Sequence, residues 1–288
     1  MNYIIVTNTY KRPADLVIRS LRASISQRIK PYKVFLIDQN ESKLVLPVDI
    51  SSNEKFVRVK TDKTSVSAAR NSLTVPENVG WIFFCDDDGY PCEDYSEKLE
   101  KIISENPSLE ILAGSIIRED NNEYYTLRHK KGGSMKYFRY SKNLMGSNFV
   151  IKADTFDKLG RFDENFGVGS YWRSSEETDF CWKAYFAGIK MEYFPELKVF
   201  HIPPFNLSVK KGFAKAFNYG IGKGALVYKW LIKKRKLKVS FELIEMFIVP
   251  VIQSVRAVFI LKPQLILTNI AAAAGRVYGF IKAFFVMK

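Results

Sequence analysis

The chain has 288 residues, of which 47% are hydrophobic and 26% charged. It is long enough to bury a sizeable core and too apolar to be a disordered polymer. The net charge of +14 is lopsided: from Phe205 onward 15 Lys+Arg stand against only Glu242 and Glu245, whereas residues 1–204 hold 29 against 28. Three cysteines, Cys85, Cys92 and Cys181, an odd count with no CxxC spacing, point to neither a disulfide framework nor a zinc site. The first residues lack the basic and long apolar regions of a secretory signal, so a cytoplasmic location is the expectation.

Tyr3–Thr7 is a short apolar run ended by polar residues and reads as a buried strand. Pro13 suits the first turn of a helix that continues through Leu16, Val17 and Leu21. Lys33–Asp38 and Lys55–Val59 read as the second and third strands, and Val66–Leu73 as a short helix. Trp81–Cys85 is a fourth strand, Tyr95–Glu105 a helix and Ile111–Ile117 a further strand. Lys130–Gly133 marks a turn, Ser147–Ile151 a strand, and Asp154 is expected to cap a helix ending at Leu159. A helix over Glu176–Ala187 stops at Gly188. Met191–Phe194 and Lys198–His201 read as two short strands around Pro195, and a boundary falls near residue 205. Strands alternating with helices predict an α/β domain over 1–204 with a mainly parallel sheet.

The segment Trp81-Ile82-Phe83-Phe84-Cys85-Asp86-Asp87-Asp88 runs from a buried strand straight into three carboxylates. Carboxylates at the C-terminal end of such a strand lie where open α/β sheets bind ligands. Their repulsion is relieved when a divalent cation sits between them and a polyphosphate, and Mg²⁺ or Mn²⁺ prefers hard oxygen donors of this kind. An Asp-rich solvated turn, helped by Gly89 and Pro91, is the competing reading.

Other motifs stand in order along the chain: "VTNTYKRP" (Val6–Pro13), "LIDQNES" around Asp38, "SVSAARN" (Ser65–Asn71), "FFCDDDGYP", "GSNFVIKADTFDKLGRFDENF" (Gly146–Phe166), "SSEETDFCWKAYFAGIKMEYFPELKVFH" (Ser174–His201) and "FNYGIGKGALVYK" (Phe217–Lys229). In this order, over about residues 3–230, the chain resembles a family 2 glycosyltransferase of the GT-A fold, bacterial surface-polysaccharide type. The resemblance implies an inverting, metal-dependent, non-processive transferase. It would move a sugar from a nucleotide-diphosphate donor, UDP first and dTDP next, to a lipid-linked or polysaccharide acceptor.

The resemblance also implies roles. Thr7, Tyr10 and Arg12 would border the base and ribose, and Asp38 would bond the uracil or ribose. Arg70 and Asn71 would flank the nucleotide-sugar. Asp86 and Asp88 match the DxD metal motif, with Asp87 toward the donor sugar or ribose; which two of the three bind metal stays open. Glu177 occupies the register of the catalytic base, where the family usually has Asp, and Glu176 is the alternative; a base there takes the acceptor hydroxyl proton. His201 matches a residue that ligates metal or contacts phosphate, and Trp172 would touch a sugar ring. No Q-x-x-R-W motif of processive relatives occurs.

The basic run Lys233-Lys234-Arg235-Lys236-Leu237-Lys238 precedes apolar segments at Leu243–Leu261 and Leu265–Met287. On a helical wheel Glu245, Gln253 and Arg256 form one polar stripe, and Asn269 and Arg276 another. Stripes of this sort predict helices lying on an anionic membrane surface, with the enzyme peripheral at the cytoplasmic face of a bacterial inner membrane. A spanning pair and a soluble helical subdomain are the alternatives. Two other function classes compete with this reading. A sugar nucleotidyltransferase is disfavoured because "TNTYKRP" lacks glycine, and a nucleic-acid-binding module because long apolar runs adjoin the basic cluster.

Overall fold

A computed structural model describes residues 1–204 and 207–287. The chain divides into two compact units, Met1–Phe162 with Phe180–Pro204, and Asp163–Asp179 with Phe205–Lys288.

The first unit is α/β. In chain order it comprises β1 (Tyr3–Thr9), α1 (Ala14–Ile25), β2 (Lys33–Asp38), α2 (Val48–Ser51), β3 (Phe56–Lys60), α3 (Val66–Asn71), β4 (Trp81–Phe84), β5 (Gly89–Pro91), α4 (Tyr95–Glu105), β6 (Ile111–Arg118), α5 (Leu127–Lys131), β7 (Phe149–Lys152) and α6 (Ala153–Lys158). It then takes most of α7 (Glu176–Phe186) and all of β8 (Met191–His201). The eight strands form one sheet in the order β3-β2-β1-β4-β7-β6-β8-β5. Alternation along the strands explains its two apolar faces. Ile4, Val6, Phe35, Ile37, Ile82 and Phe84 enter one core cluster, and their neighbours Tyr3, Ile5, Val34, Leu36, Trp81 and Phe83 enter the other.

The sheet is mixed, with four of its seven pairings parallel, in line with the mainly parallel expectation, and three antiparallel. β1 pairs in parallel with β2 and β4, β2 with β3, and β6 with β8, but β7 runs antiparallel to β4 and β6, and β5 antiparallel to β8. The two short strands expected around Pro195 are one strand, β8, with a bulge. Its register against β6 jumps from Gly114↔Phe194 to Ser115↔Lys198. Pro195 has no N–H to give the ladder. The buried Asn148 amide fills the gap, donating to the carbonyls of Ser115 (2.8 Å) and Leu197 (2.9 Å) while accepting from the Tyr95 hydroxyl at 2.7 Å. A Cβ at Gly114 would collide with Asn148 and the Leu197 carbonyl, so only glycine fits there. Asp154 does not cap α6; Lys152 holds that position and Asp154 lies in the first turn, where its charge meets the positive end of the helix.

The second unit contains α8 (Val209–Tyr228), α9 (Ser240–Phe259) and α10 (Pro263–Val286). α8 and α10 cross through facing glycines. A Cβ on Gly220 or Gly224 would strike the α10 backbone around Ala272, Gly275 and Arg276, and one on Gly275 or Gly279 would strike Phe217 or Ile221. Each helix thus carries a G-x-x-x-G pair that lets the backbones approach. Among the described residues no helix is long and apolar enough to cross a membrane. Residues 163–179, counted with the α/β domain in the sequence reading, cluster with these helices. Lys229 Nζ reaches Asp163 Oδ2 at 2.8 Å and Asp179 Oδ1 at 2.7 Å, and Trp230 Nε1 donates to the same Asp179 oxygen at 2.7 Å.

Candidate metal centre

Parallel strands β1, β2 and β4 end on one edge of the sheet, and the chain leaves them there as Thr9–Arg12, Asp38–Asn40 and Asp86–Asp88. The strand order reverses between β1 and β4, the position at which open α/β sheets form a ligand crevice. Side chains from the two sides meet at this point. Arg12 Nε donates to Asp87 Oδ1 at 2.9 Å, Arg12 Nη1 lies 3.0 Å from Asp88 Oδ2, and the Thr9 hydroxyl donates to Asp87 Oδ2 at 2.7 Å. Arg70, almost fully buried in α3 against the Phe84 and Phe162 rings, donates through Nη2 to Asp86 Oδ1 (3.0 Å) and the Gly146 carbonyl (3.3 Å).

β8 returns to this edge beside β5 and delivers His201, opposite Gly89 in register. Its Nδ1 lies 2.9 Å from the Ile202 carbonyl, and its Nε2 lies 3.0 Å from Asp88 Oδ1. A carbonyl only accepts, so Nδ1 carries the proton and Nε2 is turned toward the carboxylate. One ligand atom each from Asp86, Asp88 and His201 lies within 4.8 Å of the others, an arrangement that suits a metal ion. A backbone carbonyl fixing the far nitrogen of a ligating imidazole is the usual support for metal-bound histidine. The carboxylates whose oxygens gather with His201 are those of Asp86 and Asp88, while both Asp87 oxygens face Arg12 and Thr9.

The charges respond to this crowding. Burial pushes the Asp87 carboxyl up to about 6, and Arg12 and Thr9 only partly offset it. For Asp88 burial acts in the same direction, but the hydrogen bond and charge of His201, with Arg12 behind them, hold its carboxyl below the usual range. His201 is raised: burial disfavours its cation, and the Asp88 carboxylate outweighs that.

The other residues singled out in the sequence are placed as follows. Asp38 is fully buried; its Oδ1 accepts from the Asn40 backbone (3.0 Å) and side chain (2.8 Å), and its Oδ2 has no hydrogen-bond partner, with Arg58 Nη1 3.9 Å away. Tyr10 is half exposed just beyond β1. Thr7 lies inside β1 opposite Leu36, fully buried, so the hydroxyl at the strand end is that of Thr9. Asn71 is occupied by the backbone of Phe162, donating to its carbonyl at 2.9 Å and accepting from its N–H at 3.0 Å. In the second unit Trp172 is buried against Phe166 and edge-on to Tyr171. Glu176 and Glu177 open α7, Glu176 buried and Glu177 partly so.

Thr9, inside the Val6–Pro13 motif, carries no signal of its own that distinguishes it from Thr7, two residues before it on the same strand face. In the second unit the pairing of Asp179 with Lys229, fifty residues apart, has no local signal either. No family model matches the chain, and a search of curated proteins finds no match.

Proposed function

We propose that the protein is a divalent-metal-dependent glycosyltransferase of GT-A type that binds a nucleotide-diphosphate sugar at the sheet edge and transfers the sugar with inversion. The observation that carries this reading is the convergence of Asp86, Asp88 and a backbone-anchored His201 at the reversal point of the sheet. Two carboxylates and an imidazole suit Mn²⁺ and, with fewer nitrogen donors, Mg²⁺. Such an ion supplies charge to stabilise a departing diphosphate.

The chain's own groups fit the remaining tasks. Arg12 and Arg70, held by the aspartates, present fixed cations beside the place a diphosphate would take. With His201 neutral in the loaded state, two arginines and a divalent ion outweigh three aspartates by one charge, which an anionic diphosphate answers. Asp38 keeps a buried oxygen without a hydrogen-bond partner at the end of β2, suited to a base N–H or a ribose hydroxyl. Glu177 at the start of α7 is the proposed base, with Glu176 as its substitute. The donor is a UDP-sugar first and a dTDP-sugar next, and the acceptor a lipid-linked or polysaccharide glycan in bacterial surface-glycan synthesis.

A panel of nucleotide-diphosphate sugars, assayed for binding and slow hydrolysis with and without Mn²⁺, tests this directly. The expected result is one nucleotide class bound only when metal is present. If no nucleotide sugar binds in any metal, or if Asp86→Asn and Asp88→Asn bind as well as the native chain, the reading is abandoned.

A further inference from the structure

Helix α9 is turned inside out relative to a helix packed in a water-soluble core. Its buried positions are Glu242, Met246, Pro250 and Ala257, and Glu242 pairs there with Lys223 of α8. Placed at 100° per residue, Phe241, Ile244, Phe247, Val251, Val255 and Val258 fall in one arc of about 120° that no polar side chain interrupts between Phe241 and Phe259. Every one of these is exposed, Phe241 to 69% and Phe259 to 81%. The arc is about 28 Å long at 1.5 Å per residue. Polar Glu245 and Arg256 sit along one border of it and Gln253 lies further round the helix, all three exposed.

α10 repeats the pattern. Ala271, Gly275, Gly279 and Ala283 are buried, and the opposite arc of about 120°, containing Ile270, Val277, Ile281, Phe284 and Phe285, is exposed and wholly apolar. Continuous apolar surface on this scale exceeds what monomeric soluble proteins leave in water and marks an interaction face.

The charge beside the arcs selects the occupant. The part of the chain from Phe205 carries +13, with Lys233, Lys234, Arg235, Lys236 and Lys238 immediately before α9. A second copy brings the same charge to the contact and is repelled. A lipid surface with anionic headgroups brings the opposite charge together with an apolar layer. Because no described helix is apolar and long enough to cross, the geometry is one of lying in the interface.

We propose that the second unit docks on an anionic lipid surface, with the Phe241–Phe259 arc of α9 immersed at the headgroup–acyl boundary and the Lys233–Lys238 run on the headgroups. The docking stands independently of the transferase reading and gives its partner: an acceptor carried on a lipid lies in the same plane.

The full-length protein is floated with vesicles of phosphatidylcholine, with and without phosphatidylglycerol. Co-flotation with the anionic vesicles is expected, weakening as salt rises. The triple variant Phe247→Ser, Val251→Ser, Val255→Ser lowers partition about 100-fold. The pair Lys233→Gln, Lys234→Gln lowers it about 30-fold. Gln253→Ser, outside the apolar arc, and Asp88→Asn, in the metal cluster, leave it unchanged, so loss of catalysis and loss of docking are read separately. The substituted side chains are exposed, and circular dichroism verifies that the fold is kept. Failure to float with anionic vesicles overturns the proposal, as does flotation indifferent to the triple variant. A dimer by light scattering that the triple variant dissolves assigns the arc to a second copy instead and overturns it equally.

Discussion

Replacing His129 by glutamine separates the two histidines of the chain, one structural and one aimed at a ligand. His129 is 1% exposed; its Nδ1 accepts the Ile116 N–H at 3.2 Å, its Nε2 faces the Asn143 carbonyl at 3.0 Å, and its ring stacks on Tyr193. An imidazole that accepts at one nitrogen and donates at the other is neutral, and burial brings its pKa from 6.5 down to about 4. The folded state therefore binds fewer protons than the unfolded chain between these values. Stability from this residue is complete above pH 6.5 and falls as pH drops toward 4, by about 3 kcal/mol in all and about 2 kcal/mol by about pH 5. Urea unfolding of the native chain and His129→Gln at about pH 7.5 and about pH 5 reads this as a difference between slopes. The variant starts lower, because the Ile116 N–H loses its acceptor at a cost of about 1–3 kcal/mol, but it is less sensitive to acid by about 2 kcal/mol. Equal acid sensitivity in the two proteins would refute the assignment of His129 as a buried neutral residue.

Asp88→Asn is expected to lower Mn²⁺ affinity at least about 100-fold, judged against the 10–100-fold effects of merely supporting residues; calorimetric titration with the metal alone reads it, and native affinity counts against the cluster. Glu177→Gln should abolish sugar transfer while nucleotide binding persists, and undiminished turnover would move the base to Glu176 or elsewhere. Lys229→Met leaves Asp179 buried without its cation and should cost about 3–5 kcal/mol; a loss below about 1 kcal/mol would show the pair to be dispensable. Gly279→Val drives a side chain into the Ile221 carbonyl and should destabilise the α8–α10 crossing by about 1–3 kcal/mol, visible as a lower denaturation midpoint; an unchanged midpoint argues against the close approach.

Strands β2 and β4 were legible because each is a continuous apolar run buried almost throughout on both faces, Lys33–Asp38 and Trp81–Phe84. Pairing direction was not, because it depends on partners far along the chain. β7 reads as a strand from Phe149-Val150-Ile151, but nothing local says that it lies antiparallel between β4 and β6. Pro195 suggested a break; Asn148, distant in sequence, makes the ladder continuous around it. The polar stripe on α9 was legible from spacing alone. That Glu242 is buried with Lys223, leaving the apolar arc outside, depends on α8 and was not.

Three adjacent aspartates beside a buried strand are tolerated because each receives a different partner. Asp86 is met by Arg70, Asp87 by Arg12 and Thr9, and Asp88 by Arg12 and His201. This allocation also divides their duties. Asp87, with both oxygens committed, holds Arg12 across the β1–β4 junction and so braces the crevice. Asp86 meets Arg70 through one oxygen only, and Asp88 meets Arg12 through Oδ2 while its Oδ1 faces His201 Nε2, so a cation would enter by taking the place of that Asp88–His201 contact. The Asp88 carboxylate favours the protonated form of His201, against the burial that disfavours it. A cation entering there displaces that proton, so metal affinity at this cluster should strengthen as pH rises through the His201 titration.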